Sequence, residues 1–188
     1  QYGPAANDLA IQVLGGAGYT RDFDVEQHYR DNRLNPIHEG THGIQALDLL
    51  GRKVLLDGGE ALGLLVSRIQ ATSGRARATG DAGAALADRL DAACTDLVAT
   101  TAAIGALGDP QRMLADATAY LEATGHVVVA WIWLDQWLAA YGNEGEFYDG
   151  KRAAATYFLT RELPRVGPML AILRDADGLT LHLAPAVL

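Results

Sequence analysis

Between residues 81 and 107, Leu86, Leu90, Leu97, Ile104 and Leu107 recur at steps of three, four or seven residues. That spacing lays one apolar stripe along a helix, whereas a strand would put alternate residues on one face. The same period continues on either side and leaves little room for a sheet. Residues 60–73 repeat it with Leu62, Leu65, Val66 and Ile69, and residues 74–80, from Gly74 to Gly80, read as a loop. Asp109-Pro110 restarts the chain, with Asp as N-cap and Pro at the first helical position. The helix that follows is expected to run to about Tyr141. It is apolar nearly all round at Val127–Leu134, which places it inside a bundle or against another subunit. Gly142 to Gly145 turns the chain, and a last helix over 146–174 is bent or interrupted near Pro164. The end, from Leu179 to Leu188, is an apolar tail without a clear pattern. Apolar residues make up 49% and aromatics only 7%, a balance that suits packed helices better than a β-sandwich. The expected fold is all-α, an antiparallel helical bundle.

The first third of the chain is more punctuated. Residues 5–14 look like the end of a helix stopped by Gly15-Gly16. Gly16-x-Gly18 does not make a dinucleotide-binding fingerprint, because Arg21 holds the third glycine position and helix, not strand, precedes it. Asp22 or Asp24 can cap a short helix through Tyr29, broken at Arg30-Asp31-Asn32, and Pro36 favours an extended Asn35. Thr41 then caps a helix over about 42–56, with Ile44, Leu47, Leu50, Val54 and Leu55 on one face, ended by Asp57-Gly58-Gly59.

The formal net charge is −8, and acids outnumber bases both in 1–57 and in 58–188. Neither part is a basic footprint for a phosphate backbone, so nucleic acid is not an expected partner. Cys94 is the single cysteine, which excludes an intrachain disulfide framework and reads as a buried, inert thiol. No signal peptide is visible, and the run Val127–Leu134 is less than half a membrane span. No membrane partner is expected, and the setting is a reducing, cytoplasmic compartment. Gln1 in place of a start methionine makes the chain read as a piece of a longer protein.

The chemistry concentrates in Asn35-Pro36-Ile37-His38-Glu39-Gly40-Thr41-His42-Gly43-Ile44-Gln45. Two readings compete, and both make Glu39 a general base. His38-Glu39-x-x-His42 fits the H-E-x-x-H zinc motif, with Glu60, eighteen residues after His42, as third ligand. Against it, Pro36 and Gly40 weaken the helix that must put both imidazoles on one face. The second reading draws on five blocks in order: Gln12-x-x-Gly15-Gly16-x-Gly18-Tyr19, Val25-Glu26, Tyr29-Arg30-Asp31, Glu39-Gly40-Thr41 and Ile44-Gln45. Together they resemble the end of the C-terminal helical domain of the acyl-CoA dehydrogenases. Gly43 to Lys53, and more loosely Phe147-Tyr148-x-Gly150-Lys151 and Thr160 to Pro164, resemble the branch with an extra helical C-terminal domain, which includes 3-methylthiopropanoyl-CoA dehydrogenases. The resemblance implies a division into 1–57, the end of the C-terminal helical domain, and 58–188, the added bundle.

It also implies a reaction. An acyl-CoA thioester loses an α-proton to Glu39 while a hydride leaves the β-carbon for the N5 atom of FAD, forming the trans-2-enoyl-CoA. A carboxylate for that task is desolvated, and burial raises its pKa. By resemblance the N–H of Glu39 also bonds the thioester oxygen, Gly40 and Thr41 lie near the flavin, and Gln12 and Gly16 touch its adenosine diphosphate, usually that of a neighbouring subunit. The implied partners are an acyl-CoA, an electron-transfer flavoprotein or similar acceptor, and copies of the chain in a homo-oligomer. His38 departs from the family's usual Tyr and puts that position's contact with substrate in question. Arg30 and Asp31 read as a structural ion pair or cap, and Glu26 as a solvated helix residue. His28, His126 and His182 read as packed or surface residues, and Trp131, Trp133 and Trp137 as core or interface aromatics. The domains that complete the family's flavin and acyl-CoA pockets are not in this sequence. A lone copy is therefore expected to be inactive, and a non-catalytic helical folding and oligomerisation module stands as the alternative.

Overall fold

The computed structural model describes residues 1–182, and every regular element among them is helical. Of the apolar tail over 179–188, the residues after His182 lie outside the described ones. The chain separates into two compact units, one from Gln1 to Gln45 and one beginning at Ala46.

In the first unit, α1 (Tyr2–Leu14) ends at Gly15 (φ +61) and passes into a 3-10 helix, Gly15–Tyr19. Helix α2 (Val25–Asn32) packs on α1. It does not break at Arg30–Asn32 as expected, because those residues are fastened in place. Arg30 pairs with Glu26 one turn earlier (3.0 Å). Asn32 donates to Asn7 of α1 (2.8 Å) and accepts from Asn35 (2.6 Å). Consecutive turns follow, with the N–H groups of Ile37 and His38 both donating to the Leu34 carbonyl, so Asn35-Pro36 lies in a turn and not in an extended stretch. Among the described residues of this unit only Gly18 is buried, so close to α1 that a Cβ there would meet Leu14 and the Ile11 backbone at 2.9–3.0 Å. Val13 and Tyr19 are 85% and 83% exposed, so this unit's apolar side chains do not form a core of their own.

Helix α3 (His42–Gly51) starts in the first unit and continues into the second. It stops five residues short of the expected end, and a 3-10 run, Lys53–Gly59, contains left-handed Asp57, Gly58 and Gly59. Its buried face is Ala46 and Leu50, continued by Val54, whereas Ile44, Leu47 and Leu55 are exposed.

The second unit is the bundle. Its legs are α4 (Glu60–Arg77), α5 (Asp81–Gly105), α7 (Ala117–Ala140), and α8 (Glu146–Tyr157) running on into α9 (Val166–Asp175). The direction of each leg follows from its cross-links. Ser73 meets Asp91 and Arg77 meets Asp88, so α5 runs against α4. Thr72 meets Trp131 and Arg75 meets Asp135, so α7 runs with α4. Gln136 meets Lys151 and the His126 ring lies 6.1 Å from that of Phe158, so α8 runs back along α7. The antiparallel bundle is therefore present.

Along α7 one buried stripe is Tyr120, Ala123, Val127, Ala130, Leu134 and Trp137, at alternating steps of three and four, and Thr124 and His126 are buried beside it. The stripe shares one buried cluster with Leu86, Leu90, Cys94, Leu97 and Ile104 of α5, and Thr101 of α5 hydrogen-bonds Tyr120 of α7 (2.7 Å). Each fully buried Leu contributes about 1.5–3 kcal/mol relative to exposure. Trp131 donates its indole N–H to Thr72 (2.8 Å), Trp137 is buried, and Trp133 lies under the Lys151 ammonium, so all three are packing residues.

Three boundaries differ from the expected ones. Helix α4 continues through Gly74 to Arg77. The cost of a helical glycine is offset by Ser73 and Ala76, both fully buried, and by Arg75 and Arg77, which sit at the favourable end of the helix dipole. Arg75 pairs with Asp135, and Arg77 bridges Asp88 and Asp91 (2.8 and 2.6 Å). The turn comes instead at Gly80 (φ +113). The helix that Asp109 and Pro110 begin is short, α6 (Pro110–Leu114), capped by Asp109 accepting from Gln111 N (2.9 Å). The chain breaks at Asp116 before α7 starts. Between α8 and α9 a π turn, Phe158–Glu162, and a 3-10 turn, Leu163–Arg165, absorb Pro164, which has no N–H to give to Thr160. Cys94 is buried, and burial, with Asp91 adding, pushes its thiol pKa up. Among the described residues no helix is long and apolar enough to cross a membrane.

Candidate functional site: the turn around Glu39

Glu39 stands between the turns that end at His38 and the first residue of α3. Its φ is +57, a left-handed value that side-chain-bearing residues seldom adopt, and Gly40 follows at +124. Asp57 and Ala176 are the other described non-glycine residues with positive φ. A left-handed glutamate costs on the order of 1–3 kcal/mol unless its surroundings hold it. Gln45 does so by donating from Nε2 to the Glu39 carbonyl at 2.9 Å. Gly40 must be glycine here on two counts. Its backbone is strained for any other residue, and a Cβ would lie 3.0 Å from Ile44 Cγ2 and 3.3 Å from Gln45 Nε2.

The turn does two things chemically. It presents the Glu39 carboxylate outward, and Glu39 is exposed, so desolvation has to come from whatever covers this face. It also delivers the chain into the first turn of α3, whose N–H groups have no partner within the helix and carry partial positive charge. Thr41 directly precedes the helix, is exposed, and accepts from Gln45 N through its carbonyl (3.0 Å). Gln12 and Gly16 lie apart in sequence, on the last turn of α1 and in its 3-10 continuation. Both are exposed, and nothing within 4 Å would meet a Cβ at Gly16, so its backbone is open to approach. The structure thus groups Glu39, Gly40 and Thr41 in one turn and leaves Gln12 and Gly16 on another element.

The helix that the zinc reading needs is not formed. His38 belongs to a turn, His42 is the first residue of α3, and two left-handed residues lie between them. Among the described residues no three His, Cys, Asp or Glu side chains gather as metal ligands would. Arg30 pairs with Glu26, not with Asp31, and Glu26 is half-buried rather than solvated. Gln45 was visible as part of the Ile44-Gln45 block, but its hold on Glu39 was not. It lies one residue beyond the position from which a helix's third residue reaches back in a capping box.

Residues 4–55 match the family described as acyl-CoA dehydrogenase, C-terminal domain, and residues 65–184 match the one described as acetyl-CoA dehydrogenase C-terminal like. A 3-methylmercaptopropionyl-CoA dehydrogenase of Ruegeria pomeroyi is 38% identical over 162 residues, which is 82% of this chain and 28% of that protein. The chain belongs to the acyl-CoA dehydrogenase family. A broad-specificity linear acyl-CoA dehydrogenase of Mycobacterium tuberculosis is 29% identical over 187 residues, 90% of this chain and 30% of its own length. The human mitochondrial short-chain specific acyl-CoA dehydrogenase is 49% identical over 47 residues, 25% of this chain and 11% of that protein. This chain therefore spans less than a third of the length of the relatives it matches.

Proposed function

We propose that this chain is the C-terminal part of an FAD-dependent acyl-CoA dehydrogenase, in which Glu39 removes the α-proton of an acyl-CoA thioester to give the trans-2-enoyl-CoA. The observation that carries the proposal is the turn itself. A carboxylate is fixed on a left-handed backbone, pointed outward and set beside the positive end of α3, within a chain of this family.

The residues fit a share of a flavin site. Gln12 offers an exposed amide, Gly16 an open backbone, and Gly40 and Thr41 a close approach and a hydroxyl before the N-terminus of α3. The flavin, when bound, supplies the hydride acceptor. Glu39 accepts the α-proton on its carboxylate, and its strained turn limits the ways that carboxylate can face. On this reading the N–H of Glu39 stabilises the negative charge that develops on the thioester oxygen. The exposed apolar side chains of the first unit, Leu9, Val13, Tyr19, Leu34 and Ile37 among them, supply a surface that a covering domain would desolvate together with Glu39.

A short acyl or thioether-bearing acyl group as substrate, an electron-transfer flavoprotein or similar acceptor, and a homo-oligomeric assembly belong to the same reading. So does a boundary near residue 57, with the bundle as the added domain. The test is to purify the full-length protein, measure its flavin content, and add butanoyl-CoA or 3-methylthiopropanoyl-CoA under anaerobic conditions. Bound FAD that bleaches with either thioester is expected. A protein that carries no flavin, or a flavin that neither thioester reduces, would contradict the reading. The alternative of a non-catalytic oligomerisation module would then gain the ground.

A further inference from the structure

The side chain of Gln45 runs back from the first turn of α3, passes Gly40 and ends on the Glu39 carbonyl at 2.9 Å. A hydrogen bond to that oxygen fixes ψ of Glu39. The chain has no cis peptide bond among the described residues, so the Gly40 N–H points opposite to the captured carbonyl, away from Gln45. One bond therefore sets two directions, that of the residue bearing the carboxylate and that of the donor next to it. Gly40 is what lets the side chain through, because a Cβ there would press on the Nε2 atom that makes the bond. A left-handed non-glycine residue persists only where its surroundings over-determine it, and the Gln45 amide is the group seen doing so.

We propose that Gln45 is a positioning residue for Glu39: its amide holds the left-handed turn that aims the carboxylate, without itself touching substrate. The proposal rests on Glu39 being the proton-abstracting base. It adds that the base is aimed by its backbone, and that the aim depends on a donor at residue 45.

Two measurements test it. In the flavin-loaded full-length protein, Gln45→Met keeps size and reach but loses the donor. Flavin reduction by substrate should slow about threefold to tenfold, the worth of one neutral hydrogen bond. The Kd for a non-reducing acyl-CoA analogue should change little, and Gln45→Lys, which restores a donor at similar reach, should recover most of the lost rate. In the 188-residue chain, cleavage by a glutamate-specific protease at Glu39–Gly40, measured by mass spectrometry against cleavage at Glu144–Gly145 as internal reference, should rise several-fold in Gln45→Met. Either an unchanged cleavage ratio or an unchanged reduction rate in Gln45→Met overturns the proposal. Glu39→Gln, run alongside, separates the two levels. If it also reduces its flavin at the parental rate, the assignment of the base has failed. If it is slow while Gln45→Met is not, only the positioning role has failed.

Discussion

Replacing Gly74 with Ala decides whether the end of α4 is helix or loop. Gly74 lies inside α4, three residues before its last residue, and nothing within 4 Å would meet an added Cβ. In an open helix interior Ala is better than Gly by about 0.8–1.0 kcal/mol, because it gives up less backbone entropy and has the higher helix propensity. For a cooperative unit of this size that gain corresponds to roughly 3–4 °C in Tm. Two neighbouring glycines supply the opposite sign. Gly80 has φ +113, so Ala is strained there, and a Cβ at Gly83 would lie 2.1 Å from the Ala76 carbonyl oxygen and 2.3 Å from Thr79 Oγ1. Gly83→Ala forces α5 away from the end of α4 and should cost about 1–3 kcal/mol as an overpacked contact. The assay is thermal unfolding followed by circular dichroism at 222 nm on the 188-residue chain and its three variants. A rise for Gly74→Ala with falls for Gly80→Ala and Gly83→Ala is expected. A fall for Gly74→Ala would refute the helical path, since that is what a left-handed or loop glycine gives.

Leu90→Ala should cost about 2–5 kcal/mol, because Leu90 is fully buried in the core of the bundle, and urea unfolding should show it as a lowered midpoint. Val98→Ala, on the exposed side of the same helix, should cost well under half as much. Cys94 should resist alkylation in the folded chain at pH 8 and react on unfolding, since burial and then Asp91 push its thiol pKa up; rapid native labelling followed by mass spectrometry would speak against this. Burial, with Asp177 adding, raises the pKa of Asp116 in the folded chain above its ordinary 3.8. The protonated form is thus favoured in the fold, and the stability it brings is full below 3.8 and lost as pH rises through the folded value. Asp116→Asn should accordingly stabilise the chain at pH 7, with the gain fading as pH drops towards 3.8, as read from urea midpoints across that range.

What could be read from the sequence were features decided within a few residues. The stripe Leu86, Leu90, Leu97 and Ile104 is buried as its period requires, Asp109 and Pro110 cap and open α6, and Gly15 stops α1 with a left-handed φ. What could not be read depended on partners distant in sequence. Gly74 and the arginines after it looked like a loop because the helix there is supported by Asp88, Asp91 and Asp135, which lie on other helices. Ile44 and Leu47 looked like core because their spacing is helical, yet α3 buries Ala46 and Leu50. At the candidate site, the blocks Glu39-Gly40-Thr41 and Ile44-Gln45 were in view as letters, and the bond between them was not. The left-handed Glu39 was not, because no local rule places a glutamate there. The donor that reaches back to it from α3 is six residues further along the chain.

The central claim, that Glu39 is the α-proton base, is tested most directly by anaerobic stopped-flow bleaching of the oxidised flavin band in the full-length protein. Glu39→Gln keeps the size of the side chain and much of its hydrogen bonding, and removes the charge that takes the proton. FAD and acyl-CoA should still bind, while the rate of flavin reduction should fall on the order of 10²–10⁴-fold, the usual range for a general base. Glu26→Gln, which alters the Arg30 pair on α2, should reduce at nearly the parental rate. Reduction of Glu39→Gln at close to the parental rate would contradict the account.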